Sequence, residues 1–390
     1  MITGVPVESY PYEQRVALVP ESLATLSGAG IEVHLQQGAG EKAGFPDSEY
    51  QDRGARLVAD RAQLFGSADL LLQVRGHGAN SEAGRADLDH LRPGQVLVGF
   101  HDPLGSPEAA RELAGKGVTA LALELLPRIT RAQLMDALTS MATIAGYKGA
   151  LLAAGALSKM YPLMMTAAGT ITPARVLVLG AGVAGLQAAA TSHRLGAVVQ
   201  AYDIRPAVKE QVESLGVKFL ELELETEKAE GTGGYARAMD DEFYRRQQSL
   251  MSEAVGESDV VITTAAVPGK KSPVLVTEEM IRKMRPGSVI VDLAAEGGGN
   301  CELTQPGETV EAHGVRILAP LNVASALPYH ASQMYSHNIA SFLQNLVKEG
   351  QLALDLEDQI IQETLLCHQG EVVHPHVREL LGLGPSPAGG

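Results

Sequence analysis

The sequence predicts an α/β protein built from two Rossmann-like doubly wound parallel-sheet domains joined by long helices. Three observations carry this. Short apolar runs alternate with amphipathic stretches in both halves of the 390-residue chain, the βαβ rhythm of a parallel sheet. One such unit, ARVLVLGAGVAGLQAAATSHRLGAVVQAYD (174–203), places Gly180-x-Gly182-x-x-Gly185 between an apolar run and a helix-compatible segment, followed by a second run and an acid. Between the halves lies a long helical pattern, 131–165, rich in small residues (MATIAGYKGALLAAGAL), as expected of a linker helix packed closely on its neighbours.

In the first third, the runs Ile2–Val7, Ile31–Leu35, Arg56–Val58, Leu70–Val74, Val96–Val98 and Val118–Ala120 read as strands, with helical stretches such as Ser22–Leu26 and Pro107–Ala114 between them. The glycine-rich GAGEKAG (38–44) is not framed by strand and helix in the right order and reads as loop. The second strand series is Arg175–Leu179, Ala197–Tyr202, Val217–Leu220, Val260–Thr263, Ser288–Asp292 and Val315–Ile317. Ala331–Glu349 reads as a helix that returns the chain to the first domain. The expected domains are therefore 1–135 plus 330–390, and 140–325. Within the second, the charged segment 221–253 carries EGTGGY (230–235) and is expected to be a mobile loop, its glycines acting as hinges and Tyr235 as a flat covering surface. The Gly/Pro-rich tail 382–390 is expected to fray.

Composition narrows the function. A net charge of −15 argues against nucleic acid or an anionic membrane surface as a direct partner. Two cysteines, Cys301 and Cys367, form no CxxC pair and fit a reducing cytoplasm. MITGVPVESY lacks a basic and an apolar region, so no signal peptide is expected, and the apolar run 151–157 is too short to span a bilayer.

The glycine turn is where chemistry enters. Gly180 lets the chain turn sharply off its strand, Gly182 lets a pyrophosphate approach the backbone, and Gly185 lets the helix that begins near Val183 pack against the sheet. Asp203 follows Gly180 by 23 residues, where an acid accepts hydrogen bonds from the adenosine ribose. Its charge would repel a 2′-phosphate, so NAD(H) is expected rather than NADP(H).

A dehydrogenase acting on an alcohol or amine needs a proton-transfer group beside the nicotinamide. No tyrosine has a lysine four positions on. His101 with Asp102 after a strand, and Arg15 and Arg75 as a carboxylate clamp, are the candidates, each with a plain structural alternative. His368, His374, His376 and Cys367 fit no zinc spacing and read as a surface tail, made extended by Pro375. Cys301 lacks a neighbouring base and is not expected to be a nucleophile. In Arg128-Ile-Thr-Arg131-Ala-Gln133-Leu-Met-Asp136-Ala-Leu-Thr139, the i,i+3 spacing puts Gln133, Asp136 and Thr139 on one helix face. Such a face at the junction of two α/β domains can meet a nicotinamide, while a solvated helix start capped by Thr130 is the alternative.

At these residues the chain resembles the NAD(H)-binding component (alpha subunit, domain I) of proton-translocating nicotinamide nucleotide transhydrogenase, of the alanine dehydrogenase/transhydrogenase family. The resemblance runs from RVALVPE (15–21) through PRITRAQLMDALTSMATIAGYKGA (127–150), GAGVAGLQA (180–188), YDIR (202–205), EGTGGYARAM (230–239), VPGKKSPVLVTEEM (267–280) and VDLAAEGGGNCELTQPGE (291–308) to ASQMYSHN (331–338). It implies a homodimer that binds NADH and passes hydride to NADP+ held on a separate component. A membrane-spanning component would couple the reaction to proton translocation, with this chain cytoplasmic and peripheral to the inner face of the plasma membrane.

The resemblance assigns Arg128, Gln133, Asp136, Thr139 and Tyr235 to the catalytic, nicotinamide end. It adds Ile129, Thr130 and Arg131 there as cofactor contacts, and Val183, Asp203, Ile204, Arg205, Gly234 and Ala266 beside the glycine turn. No metal is implied. The segment NVASALPYH (322–330) departs from the family's N-(L/V)-P-S-R-M-P-T-Q type pattern and lacks its Arg.

Alanine dehydrogenase is the rival within the family. Its carboxylate-binding Lys is replaced by Arg75, its His falls about one residue from His101, and Glu296 stands where it has an Asp. A nucleotide-sensing module without catalysis is the third reading.

Overall fold

The computed structural model describes residues 1–222, 241–267 and 269–384. The chain divides into two units, Met1–Met141 with Ser325–Gly390, and Ala142–Ala324. Both are α/β and built on largely parallel sheets, in accord with the predicted fold class. No helix among the described residues is long and apolar enough to cross a membrane.

The first unit holds an eight-stranded sheet in the order Glu371–Val372, Leu365–His368, Thr119–Ala122, Val96–Phe100, Leu70–Arg75, Ile2–Val5, Glu32–Gln36 and Arg56–Val58. The last six in this order are parallel, and the two C-terminal strands join antiparallel at one edge. The central strand Leu70–Arg75 is buried along nearly its whole length, which is why it reads as an apolar run with no alternation. The strand order reverses between Ile2–Val5 and Leu70–Arg75.

The second unit holds seven strands in the order Lys218–Phe219, Val198–Tyr202, Arg175–Leu179, Val260–Thr263, Val289–Asp292, Val315–Leu318 and Thr309–Ala312. All pair in parallel except Thr309–Ala312, the antiparallel edge. Its order reverses between Arg175–Leu179 and Val260–Thr263. Valine and isoleucine from the central strands fill the core on both faces of this sheet.

Four expectations are corrected. The helix expected over 131–165 is a 3-10 turn, Thr130–Met135, followed by the α-helix Ala137–Ala156. Pro162 cannot continue a helix, and the chain goes on into a hairpin, Met164–Thr166 with Gly169–Ile171. The loop expected over 221–253 is shorter, because Asp241–Gly256 is a helix. Gln247, Met251 and Val255, four residues apart, turn one fully buried face inward. Gly234 and Tyr235 lie outside the described residues.

The expected surface tail is instead a strand, Leu365–His368, with Cys367 in the core, and Pro375 opens the helix Pro375–Leu380 at a position where its missing N–H costs nothing. The edge strand Thr309–Ala312 is an addition to the strands that the sequence predicts.

Candidate functional site

The dinucleotide turn lies at the strand-order reversal of the second unit, where open α/β sheets bind ligands. Gly180 leaves Arg175–Leu179 with φ +98°, a conformation that strains any other residue. Its N–H donates to the Tyr202 carbonyl at 2.8 Å. A Cβ on Gly185 would sit 1.7 Å from the Gly180 carbonyl oxygen, so the helix Val183–Arg194 approaches the turn more closely than any side chain permits. Gly182 differs. A Cβ there would meet only Nη2 of Arg205, at 3.9 Å, so this glycine faces open space. No side chain caps the helix, whose first turn begins at the exposed side of Gly182 with Val183. The turn has the openness and the N–H groups that a pyrophosphate requires.

Asp203 ends Val198–Tyr202 and is buried. Its carboxylate accepts from the Ala181 N–H at 2.7 Å, tying the acid to the glycine turn, and from the Arg205 backbone N–H at 2.9 Å. The Arg205 guanidinium adds two bonds, from Nε at 2.9 Å and Nη2 at 2.8 Å. Ile204 turns the other way, into the apolar core.

The opposite lip is the segment after Val260–Thr263, which carries Ala266, exposed. Thr264 closes the two lips together, its hydroxyl donating to the Gly180 carbonyl at 2.9 Å. The sequence does not point to Asn300, yet it holds this lip in place. Fully buried, its side chain accepts from the Ala265 N–H at 2.9 Å and donates to the Ala265 and Pro273 carbonyls at 2.8 Å each. Asn300 is in turn set by Asp292, whose buried carboxylate takes the N–H groups of Ala294, Asn300 and Cys301 and the hydroxyls of Thr263 and Thr304. An acid ending an apolar strand (VIVD) followed by GGGN is the available signal. Asn300→Ala removes three buried hydrogen bonds and is expected to lower the stability of this unit by about 3 kcal/mol, read as a lower urea midpoint at unchanged slope.

The segment 128–139 belongs to the first unit. Arg128, Thr130, Arg131 and Gln133 are exposed, Asp136 and Thr139 half-buried. The expected single helix face is absent, because the chain breaks at Asp136. Its carboxylate accepts from the Thr139 N–H at 2.8 Å and the Thr139 hydroxyl at 2.6 Å, capping Ala137–Ala156. Thr130 is not a cap. Ile129, extended, precedes the 3-10 turn, and no side chain caps it. Ala132 and Met135 bury the other side of the turn, the Leu134 carbonyl accepts from Asn338, and Arg131 is paired with Asp358. The polar residues are therefore displayed on a fixed support.

The proton-transfer candidates lie elsewhere in the first unit. His101 is buried, and neither ring nitrogen has a hydrogen-bond partner. Burial, and then His77, push its pKa down to about 4. Arg15 is held bidentately by Glu13, at 2.7 and 2.6 Å, both side chains buried. Arg75 stacks on the Tyr10 ring at 4.2 Å with its Nε 3.7 Å from Glu13. The backbone of Val74 and Arg75 donates to Glu8, a buried acid pushed up to about 8 chiefly by desolvation and then by Glu13. Glu124, raised by burial to about 7, accepts from the His101 N–H at 2.6 Å. The chain's own acids thus engage both arginines, and the one histidine beside them is neutral. Glu8, Glu13 and Glu124 carry no mark in the sequence that sets them apart from other acids.

Burial raises the thiol pKa of Cys301 to about 11 and that of Cys367 to about 12, so neither is a nucleophile at neutral pH. No group of three or more metal-ligating side chains occurs among the described residues. Glu296 accepts the Asn322 N–H at 2.5 Å, and Tyr329 of the divergent segment stacks on Phe45 with ring centroids 4.7 Å apart.

Comparison with known proteins agrees with this arrangement. Residues 4–145 match the N-terminal domain, and residues 149–375 the C-terminal domain, of alanine dehydrogenase/PNT. The chain is 44% identical over 378 residues to the first of the chains that make up the NAD(P) transhydrogenase subunit alpha of Rhodospirillum rubrum, covering 96% of this chain and 98% of that one. The crystal structure of a transhydrogenase from Sinorhizobium meliloti matches with a TM-score of 0.85 at 44% identity, over 96% of this chain and 100% of that chain. The alanine dehydrogenase of Bacillus subtilis is more distant, 29% identical with 100% and 97% covered. The chain belongs to the alanine dehydrogenase/PNT family of oxidoreductases, and it is nearer in sequence to this transhydrogenase alpha subunit than to this alanine dehydrogenase.

Proposed function

We propose that this chain binds NADH in the Ala142–Ala324 unit and passes its hydride to NADP+ held on a separate component. A membrane-spanning component couples the transfer to proton translocation. In this reading the chain is a homodimer, placed at the inner face of the plasma membrane through its partners. The observation that carries the proposal is the pairing of an open glycine turn with sealed acid–base candidates. Hydride passing directly between two nicotinamides moves no proton at the reacting carbons, so no general acid or base is needed. Such a reaction requires orientation and exclusion of water.

The residues then divide the work. Gly180, Gly182, Val183 and Gly185 receive the pyrophosphate, and Asp203, Ile204, Arg205 and Ala266 the adenosine side. Arg128, Ile129, Thr130, Arg131, Gln133, Asp136 and Thr139 meet the nicotinamide end, and Gly234 and Tyr235 cover it. Asp136 and Thr139 are already locked together, which suits a positioning role.

Reconstitution tests the proposal. The purified chain alone is expected not to oxidise NADH with pyruvate and ammonia. Adding the NADP(H)-binding component is expected to start hydride transfer from NADH to an NADP+ analogue. Folded partners that give no transfer would refute the reading, and turnover with pyruvate and ammonia, lost in Arg75→Ala, would favour the amino-acid dehydrogenase reading instead.

A further inference from the structure

Asp203 has no acceptor left for a ribose. An ionised carboxylate offers about four lone-pair sites, and four donors already occupy them: the Ala181 and Arg205 backbone N–H groups, and Nε and Nη2 of the Arg205 side chain. Both side chains are largely buried, 5% exposed for Asp203 and 13% for Arg205. The two backbone donors are fixed by the turn and by the chain itself. Only the guanidinium can leave. It also leans over the phosphate-binding turn, since Nη2 of Arg205 is the atom nearest to where a Gly182 side chain would start.

Resting on the reading of this turn as the NADH site, we propose that Arg205 is a specificity-determining residue. It competes with the ribose hydroxyls for Asp203 and so narrows the preference for NADH over NADPH. A ribose diol must displace the guanidinium to reach the carboxylate, which weakens NADH. A 2′-phosphate meets an acid whose charge is compensated and a cation that can pair with it, which favours NADPH. Asp203 alone would discriminate more sharply than the pair does.

Dissociation constants for NADH and NADPH, measured by calorimetry on the full chain, test this. In Arg205→Ala the ratio of the NADPH to the NADH constant is expected to rise about tenfold or more, with NADPH weakened and NADH unchanged or tightened. Arg205→Gln, closer in shape, should do the same if the alanine variant folds poorly, as judged by its urea midpoint. Arg205→Lys keeps the charge without the bidentate fork and is expected to retain most of the NADPH affinity. A ratio within threefold of wild type in both neutral variants, or a smaller one, would overturn the proposal. Wild-type protein that binds neither nucleotide would instead refute the underlying NADH-site reading.

Discussion

Gly182→Ala is expected to fold with wild-type stability and lose NADH affinity, whereas Gly185→Ala is expected to lose both. The two glycines lie three residues apart in one turn, and the space around them is opposite. A methyl group on Gly182 meets nothing closer than 3.9 Å. Its cost appears only when a pyrophosphate must approach the backbone there, and NADH should bind about tenfold more weakly or worse. A methyl group on Gly185 meets the Gly180 carbonyl oxygen at 1.7 Å and its carbon at 2.8 Å, so the helix must lift from the turn. Backbone cannot yield as a side chain does, and a loss of about 3 kcal/mol is expected. Urea unfolding and NADH titration on both variants separate the effects. Equal destabilisation of the two would refute the assignment of Gly182 to the ligand and Gly185 to the fold.

Glu13→Ala is expected to cost about 3–5 kcal/mol, because it strands the Arg15 guanidinium in a buried setting. The penalty should depend on pH. Glu8 has its pKa raised from 4.5 to about 8 by burial and then by the charge of Glu13. A raised acid contributes stability that is present below about 4.5 and is lost as pH rises through 8. Removing Glu13 lowers the pKa of Glu8, which can then ionise at neutral pH and take over Arg15. The gap in unfolding free energy between Glu13→Ala and wild type should therefore shrink between pH 6 and pH 8.5. A gap that stays constant would show that Glu8 does not substitute.

Much of this architecture is legible in the sequence, for a physical reason. A parallel strand buried on both faces must be continuously apolar, so runs such as LLLQV and RVLVL announce themselves. The same rule hides Thr309–Ala312, an edge strand whose side chains alternate between exposed and half-buried. The helix Asp241–Gly256 escapes notice because charged residues surround its single buried stripe. At the site, the glycine turn and Asp203 stand out because they are punctuation in an apolar background. What the residues do not reveal is how polar side chains spend their hydrogen bonds. Asp136 looks like one member of a helix face and is a cap. Asp203 looks available and is saturated. Asn300 and Asp292 look like ordinary loop residues, yet they fix the lip opposite the glycines, because their partners are backbone groups that only the folded chain brings near.

The strand Leu365–His368 closes the sheet of the first unit beside Thr119–Ala122, although some 240 residues separate them along the chain. This has a consequence for biogenesis. During synthesis the Ala142–Ala324 unit is contiguous and can complete its sheet as soon as it leaves the ribosome, while the unit that began first must wait for the last strands. Until then Thr119–Ala122 presents an open row of N–H and C=O groups, the kind of edge that pairs with other nascent chains. The last part of the message thus protects the first, and a ribosome that stalls or terminates before residue 365 releases a chain whose N-terminal sheet is primed to aggregate.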